Sequence, residues 1–460
     1  MAGNNHGVFE KRGMKFAGCF ILSVVFTAVC THSLHAEVPE SLPQEQFGSL
    51  LGLNEAVARA LTNQAEVKRA FARMKKEEAL YKGSIAEFLP KLGGEIFQAV
   101  ATGDRKSVTF LDAGIEQPLF KGGKILAGKR RRKVRLESEE VKLEEAKLEV
   151  ELGVRVLYAE TLKERELTRI AQGEVKELLP EHARIKQLVD KEVLPQHELF
   201  RMETILETAK HALVKHKETY DYLSGVLREI IGIGEGESLD LEPLSDFEEI
   251  EKSVSVYLET ARKHDPVYRL SGLKVQEKNF EKKELQADRF PQLSLTTKWN
   301  RFRDVYADTN RAMVGIQGTW NIWDFGRLGN AIKAKSYEIE ETKWAGEIEV
   351  REHEKEIQKF FHEARAAREK IRLAETLIRE RREIFKNEKT KLIAGEKGSG
   401  ELSDSFIALE EAKIQYLDAV TEYRILVVKL ARKTGFGETR ETALGETEER
   451  AQSKDEETGQ

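Results

Sequence analysis

Two rhythms of apolar residues alternate along this chain, and the pair of rhythms occurs twice. A helical spacing governs residues 50–88, where Ala56, Val57, Ala60, Leu61, Val67, Ala70 and Phe71 supply one face, with Asn54 as a candidate cap. Leu89-Pro90 stops it. Alternation with a period of two predicts strands over 92–100 and 108–119, around a turn at Thr102-Gly103-Asp104. Pro118 suits a strand end or an edge. From 124 to 190 the only proline is Pro180, so the segment reads as one helix of about 100 Å, with a bend at Pro180. Its apolar residues form two columns at a spacing of seven, Val134-Val141-Leu148 and Leu136-Leu143-Val150-Leu157. The columns lie on nearly opposite sides, so this helix wants neighbours on both, as in a wall of helices. After Leu194-Pro195 a return helix covers 196–231 and ends at Gly232.

The plan then repeats. A helix is expected over 247–288 with a break at Asp265-Pro266, strands over 293–302 and 311–323, a long helix over 327–394 and a return helix over 402–433. Val350, Ile357, Ala364, Ile371, Ile378, Phe385 and Leu392 form an unbroken column at a spacing of seven. Gly395, Gly398 and Gly400 make the turn between the last two helices. The turn Asp324-Phe325-Gly326 stands where Lys121-Gly122-Gly123 stands in the first half, an offset of 203 that also relates Tyr158 to Phe361 and Gly232 to Gly435. The chain therefore divides into a leader (1–36), a first repeat (37–234), a second repeat (235–437) and an acidic tail (438–460) that lacks large apolar residues and reads as disordered.

Composition changes the picture in three places. Charged residues make up 34% of 460 and aromatics 8%, with nine prolines, which suits long solvated helices carrying i,i+4 ion pairs. A net charge of -5 gives no footprint for nucleic acid. The leader, with Lys11, Arg12 and Lys15 before the apolar run 16–29 and Leu34-His35-Ala36 before Glu37, reads as a secretory signal peptide. An uncleaved anchor, or lipidation at Cys19 or Cys30, is the alternative for the same stretch. Those two cysteines are the only ones, so the exported chain has no disulfide and no thiolate metal site.

Four strands cannot close a barrel alone, and the striped helices want lateral partners, so both point to a cyclic oligomer. Trp299, Trp320 and Trp323, with Phe97, Phe110, Phe120, Phe302 and Tyr306, gather in the strand region. In an exported protein this pattern points to a membrane β-barrel with an aromatic girdle at the lipid interface. A small soluble sheet with an aromatic core is the alternative.

Several short stretches carry a resemblance. They are Leu53-Asn54-Glu55-Ala56-Val57-Ala58-Arg59-Ala60-Leu61, Phe88-Leu89-Pro90-Lys91-Leu92, Gln117-Pro118-Leu119-Phe120-Lys121-Gly122-Gly123, His264-Asp265-Pro266, Arg289-Phe290-Pro291-Gln292-Leu293 and Trp323-Asp324-Phe325-Gly326-Arg327. Each is weak alone. In this order, within a duplication behind a signal peptide, they resemble the TolC-type outer-membrane efflux protein family over roughly residues 50–437. The resemblance implies a homotrimer in which each chain gives four strands to a shared twelve-stranded outer-membrane barrel and its helices to a periplasmic α-barrel. It implies a passive exit duct, with outer-membrane lipid around it, a periplasmic adaptor (membrane fusion) protein, and an inner-membrane pump or ABC transporter as partners. The family closes its tunnel where the helices turn. Here Glu198, Glu401 and Asp404 stand at return-helix starts and are the candidate gate or cation-selective ring. Carboxylates there also simply stabilise helix N-termini, and both roles fit.

No catalytic constellation, cofactor motif or metal-ligand spacing stands out; His211 and His216 are five apart and do not share a helix face. An enzyme is not expected. The rival reading is a soluble periplasmic coiled-coil scaffold or adaptor, which accounts for the heptads but not for duplicated aromatic strand pairs.

Overall fold

The computed structural model describes residues 50–100, 107–234, 239–244, 250, 253–303, 308–394 and 399–435. The leader, the acidic tail, Tyr306, Gly395 and Gly398 lie outside the described residues. The first repeat runs α1 (Leu53–Asn63), α2 (Ala65–Gly83), a 3-10 turn (Ser84–Phe88), β1 (Lys91–Val100), β2 (Ser107–Phe120), α3 (Lys124–Asp190) and α4 (Gln196–Ile231). The second runs α5 (Val254–His264), α6 (Pro266–Ala287), β3 (Gln292–Arg303), β4 (Asp308–Thr319), α7 (Arg327–Ala394) and α8 (Ser399–Thr434).

Two expectations need correction, and one expected break is present. The single helix over 50–88 is two helices and a 3-10 turn, and α1 starts after Gly52 rather than on a side-chain cap at Asn54. The break falls at Gln64, whose backbone is extended, and it has a tertiary cause. Asn63 Nδ2 donates to the carbonyls of Glu229 and Ile230, and Gln64 Nε2 donates to Ile230, so the break satisfies the orphan carbonyls at the end of α4. The break expected at Asp265-Pro266 is where α5 and α6 part, and Asp265 accepts from Val267 N at 2.9 Å with Pro266 in the first turn. Asp265 is fully enclosed by His353 Nε2 (3.3 Å) and Arg432 Nη1 (3.4 Å), so in this repeat too the break grips the end of the return helix. The strand expected over 311–323 is shifted to 308–319, leaving Trp320 and Trp323 beyond its end.

The core is also duplicated. Ala60, Val154, Tyr158 and Leu227 form one cluster with Leu51 and Leu241, and their counterparts Ala261, Ile357, Phe361 and Leu430 form another. Tyr158 Oη lies 2.8 Å from the carbonyls of both Leu51 and Glu242. Burial pushes its hydroxyl up to about 12. The column on α7 is real packing: Ile357, Ala364 and Ile371 are buried, and Ala367 and Ala374 fill the intervening positions. That three–four alternation is the seam of a left-handed coiled coil, and its partner is α8 through Ala419, Val420, Tyr423 and Leu426. Pro180 stands inside α3 without ending it.

β1-β2-β3-β4 form one antiparallel sheet, in chain order. The β2–β3 pairing joins the two repeats, and β1 and β4 are open edges. The strand-to-helix turns need left-handed backbone. Gly122 and Gly123 have φ of 62° and 85°; Phe325 and Gly326, at the equivalent positions, have 55° and 84°. Asp324 braces the second turn by accepting from Gly326 N (3.1 Å) and Leu328 N (2.7 Å).

Candidate functional site

Residue parity sorts the sheet into two chemistries. The register places Leu92, Ile96, Leu111, Ala113, Ile115, Leu293, Leu295, Trp299, Ala312, Val314 and Ile316 on one face. Toward the hairpin ends this face turns polar, with Gln98, Thr109, Arg301, Arg303, Asn310 and Asp308. The apolar part of β3, Leu293 to Trp299, is about 20 Å along the strand. The opposite face carries Lys91, Glu95, Asp112, Glu116, Lys298, Asn300 and Arg311. Its polar groups bond across strands: Asn300 Nδ2 to Asp112 Oδ2 at 3.1 Å and Ser294 Oγ to Glu116 Oε1 at 2.9 Å. Alternation of apolar-out and polar-in is what a barrel wall between lipid and a wet lumen requires.

The aromatic candidates do not share one environment. Trp299 lies on the apolar face, and Phe120 is paired with Leu293 across a register shift near Pro118. Trp320 and Trp323 follow β4, more than half exposed; Trp320 Nε1 donates to the Arg289 carbonyl, and Trp323 meets Phe325 edge to face. Phe97, Phe110 and Phe302 lie side by side on the polar face, in one cross-strand row. Parity within β1 alone separates Phe97 from Ile96, so that signal was present in the sequence.

The tip candidates also separate. Glu198 is buried in the first turn of α4, 3.1 Å from His197 Nε2 and 3.5 Å from Arg201 Nη1. Glu401 and Asp404, in the first turns of α8, are exposed. The two helical hairpins touch here, since a Cβ on Gly400 would meet the Arg201 guanidinium.

A feature that the spacing analysis missed is a buried charge cluster higher between the hairpins. Lys413 Nζ on α8 reaches Glu174 Oε1 on α3 at 2.5 Å and Glu410 Oε1 at 2.9 Å. Burial and the neighbouring Glu410 push the Glu174 carboxyl up to about 8. Burial alone would lower Lys413, but its bonds to both carboxylates outweigh that and raise it. Glu174 Oε2 has no hydrogen-bond partner. The cluster borders a cavity of about 190 Å³ lined by Leu167, Ala171, Ala209, His216 and Phe406. Lys163–Asp418 (3.1 Å) and Lys389–Glu181 (3.3 Å) tie the same hairpins together. Glu and Lys recur throughout the long helices, so nothing in the sequence distinguished Glu174 from its solvated neighbours.

Among the described residues no group of three or more His, Cys, Asp or Glu side chains could hold a metal, and no helix is long and apolar enough to cross a membrane. With an amphipathic sheet and two coiled hairpins established, residues 258–435 match the family model of the outer membrane efflux proteins. That match covers most of the second repeat, less than half of the chain. The resemblance of the chain to the TolC-type efflux family therefore stands, and that family consists of channels, not enzymes. No curated protein sequence matches the chain. Solved outer-membrane channels share its fold. CmeC of Campylobacter jejuni is 16% identical with a TM-score of 0.72, covering 86% of this chain and 91% of that one. VceC of Vibrio cholerae is 12% identical with a TM-score of 0.70, covering 84% and 97%. MtrE of Neisseria gonorrhoeae, in its open state, is 16% identical with a TM-score of 0.70, covering 83% and 88%.

Proposed function

We propose that this chain is an outer membrane efflux protein, the passive exit duct of a tripartite efflux or type I secretion system. Three copies close a twelve-stranded barrel in the outer membrane, and their helices form a tunnel in the periplasm. A periplasmic adaptor protein docks on the tunnel, and an inner-membrane pump or ABC transporter supplies the energy.

The observation that carries this reading is the sheet: one polar face, one apolar face and two open edges that the internal duplication matches to each other. Within the chain, β2 meets β3 with Gln117 opposite Leu295 and Phe120 opposite Leu293. Carrying β2 onto β4 and β3 onto β1 through the repeat sets Trp320 opposite Gly94, and Trp323 opposite Leu92, of the neighbouring copy. β4 stops at Thr319 in a lone chain because those pairing groups are absent. Gly122 packs against Ala287 and Phe290 inside the chain, whereas its counterpart Phe325 is 89% exposed. In the assembly Phe325 then meets the exposed Ile85 and Leu89 of the neighbouring copy.

At the tunnel tip, Glu401 and Asp404 are the residues of a cation-selective ring, and Glu198 is paired with His197 and Arg201 within the start of α4. The native mass of the chain extracted from outer membranes in mild detergent, followed by conductance in planar bilayers, tests the reading. A trimer that conducts supports it. A detergent-independent monomer or dimer in the periplasmic fraction leaves only the soluble scaffold. Unchanged cation selectivity in E401Q/D404N would remove the ring.

A further inference from the structure

We infer that the polar face of the sheet carries an exit-side binding patch for lipophilic organic cations, built from Phe97 and Phe110 above Glu95 and Asp112 and extended by Phe302. The inference rests on the duct reading above and names the class of cargo the duct favours.

The geometry is that of the register. Phe97 pairs with Phe110, and Phe110 with Phe302, so three rings stand in one row across β1, β2 and β3. Directly cross-strand residues on one face hold their Cβ atoms about 5 Å apart, so the three rings line one row of the same face. Two residues along each strand, on the same face, Glu95 pairs with Asp112. Two aromatic residues thus stand one same-face row along from two carboxylates on the same two adjacent strands. Asp112 is fixed by Asn300 at 3.1 Å, which holds its carboxylate in place.

The position is unusual for large apolar groups. Apart from Val108 and Met313, the other large apolar residues of the register lie on the opposite, lipid-suited face, where Leu92, Ile96, Ile115, Leu295 and Trp299 stand. Closing the barrel with that face outward turns the phenylalanines inward. Phe97 and Phe302 are 55% and 37% exposed, so their rings are open to a solute rather than packed. The row lies at the hairpin end of the sheet, away from the helices, and hence near the outer mouth of the duct.

Rings alone would hold any apolar solute, and carboxylates alone any cation. Their juxtaposition selects a solute having both a positive charge and an apolar body, through cation–π attraction and Coulombic attraction together. Arg311, opposite Asn300 in the same row, offsets one of the two carboxylates, so a small hydrated metal ion gains little. A weak patch at the exit retains such a cation briefly.

The test is block of potassium current by tetraphenylphosphonium added on the hairpin side of the full chain in planar bilayers. We expect block by the wild-type channel. F97L/F110L, which keeps apolar volume without aromatic faces, weakens block about tenfold, and E95Q/D112N weakens it several-fold. Tetramethylammonium, which has no apolar body, blocks all three channels poorly. Conducting variants with unchanged tetraphenylphosphonium block would overturn the cation patch while leaving the duct intact. Equal weakening of block by neutral, similarly apolar tetraphenylmethane carriers in both variants would reduce the patch to an apolar surface and overturn its charge preference. No conductance from wild-type trimers would defeat the duct reading itself, and the patch with it.

Discussion

At the residue scale, two side chains concentrate the energetics. Gly122 needs a left-handed backbone, and a Cβ there would collide with the Ala287 carbonyl. G122A is therefore expected to lower thermal stability by the equivalent of about 2 kcal/mol or more, read as Tm in detergent. F325G, at the equivalent turn, relieves the same backbone strain without that collision and leaves the Tm of the monomer unchanged or raised. Glu174 gives the chain a pH dependence of defined sign. Its folded carboxyl titrates near 8, against about 4.5 when unfolded. The folded state binds the extra proton, so this stabilisation is complete below about pH 4.5 and is lost as pH rises through about 8. Tm should fall from pH 5 to pH 8, and E174Q should flatten that slope; an unchanged slope would exclude Glu174 as its source.

At the scale of elements, the long hairpins depend on narrow seams. Ile371 is 3% exposed between Ala364, Ala367 and the α8 residues Ala419 and Tyr423. I371A should cost about 2–5 kcal/mol, because small neighbours cannot collapse into the space. Tyr158→Phe tests the first core against the second, where Phe361 already stands. It removes the hydroxyl shared by Leu51 and Glu242 and should cost about 1 kcal/mol, releasing the segment around Leu241 to faster hydrogen exchange. The helix breaks illustrate how much of an element is visible in its own residues. Asp265-Pro266 announces its break by proline, whereas Gln64 carries no such mark. Its break exists because the amides of Asn63 and Gln64 serve the end of α4, some 166 residues away in sequence.

At the scale of the whole molecule, the duplication predicts an interface. Thr319 and Glu95 stand to one another, between copies, as Glu116 and Thr296 stand within the chain. Oxidised T319C/E95C should therefore give cross-linked species up to trimer on denaturing gels. E116C/T296C should remain a single chain. Cross-linked species from the second pair, or none from the first, would refute the repeat-derived register.

The sequence by itself determined the duplication, the long helices, the strand pairs and the breaks marked by proline or glycine, since these follow from local sterics and hydrophobic period. It also carried enough ordered short motifs to point to the efflux family. Only the tertiary structure decided which residues each aromatic meets across the strands, that Glu198 is buried beside His197 and Arg201, and that Glu174 and Lys413 meet. Strand period fixes alternation but not the cross-strand partner, and a slip of one residue exchanges the faces. A carboxylate's environment depends on helices distant in sequence, so chemically identical glutamates along α3 become solvated, paired or proton-binding according to what packs against them.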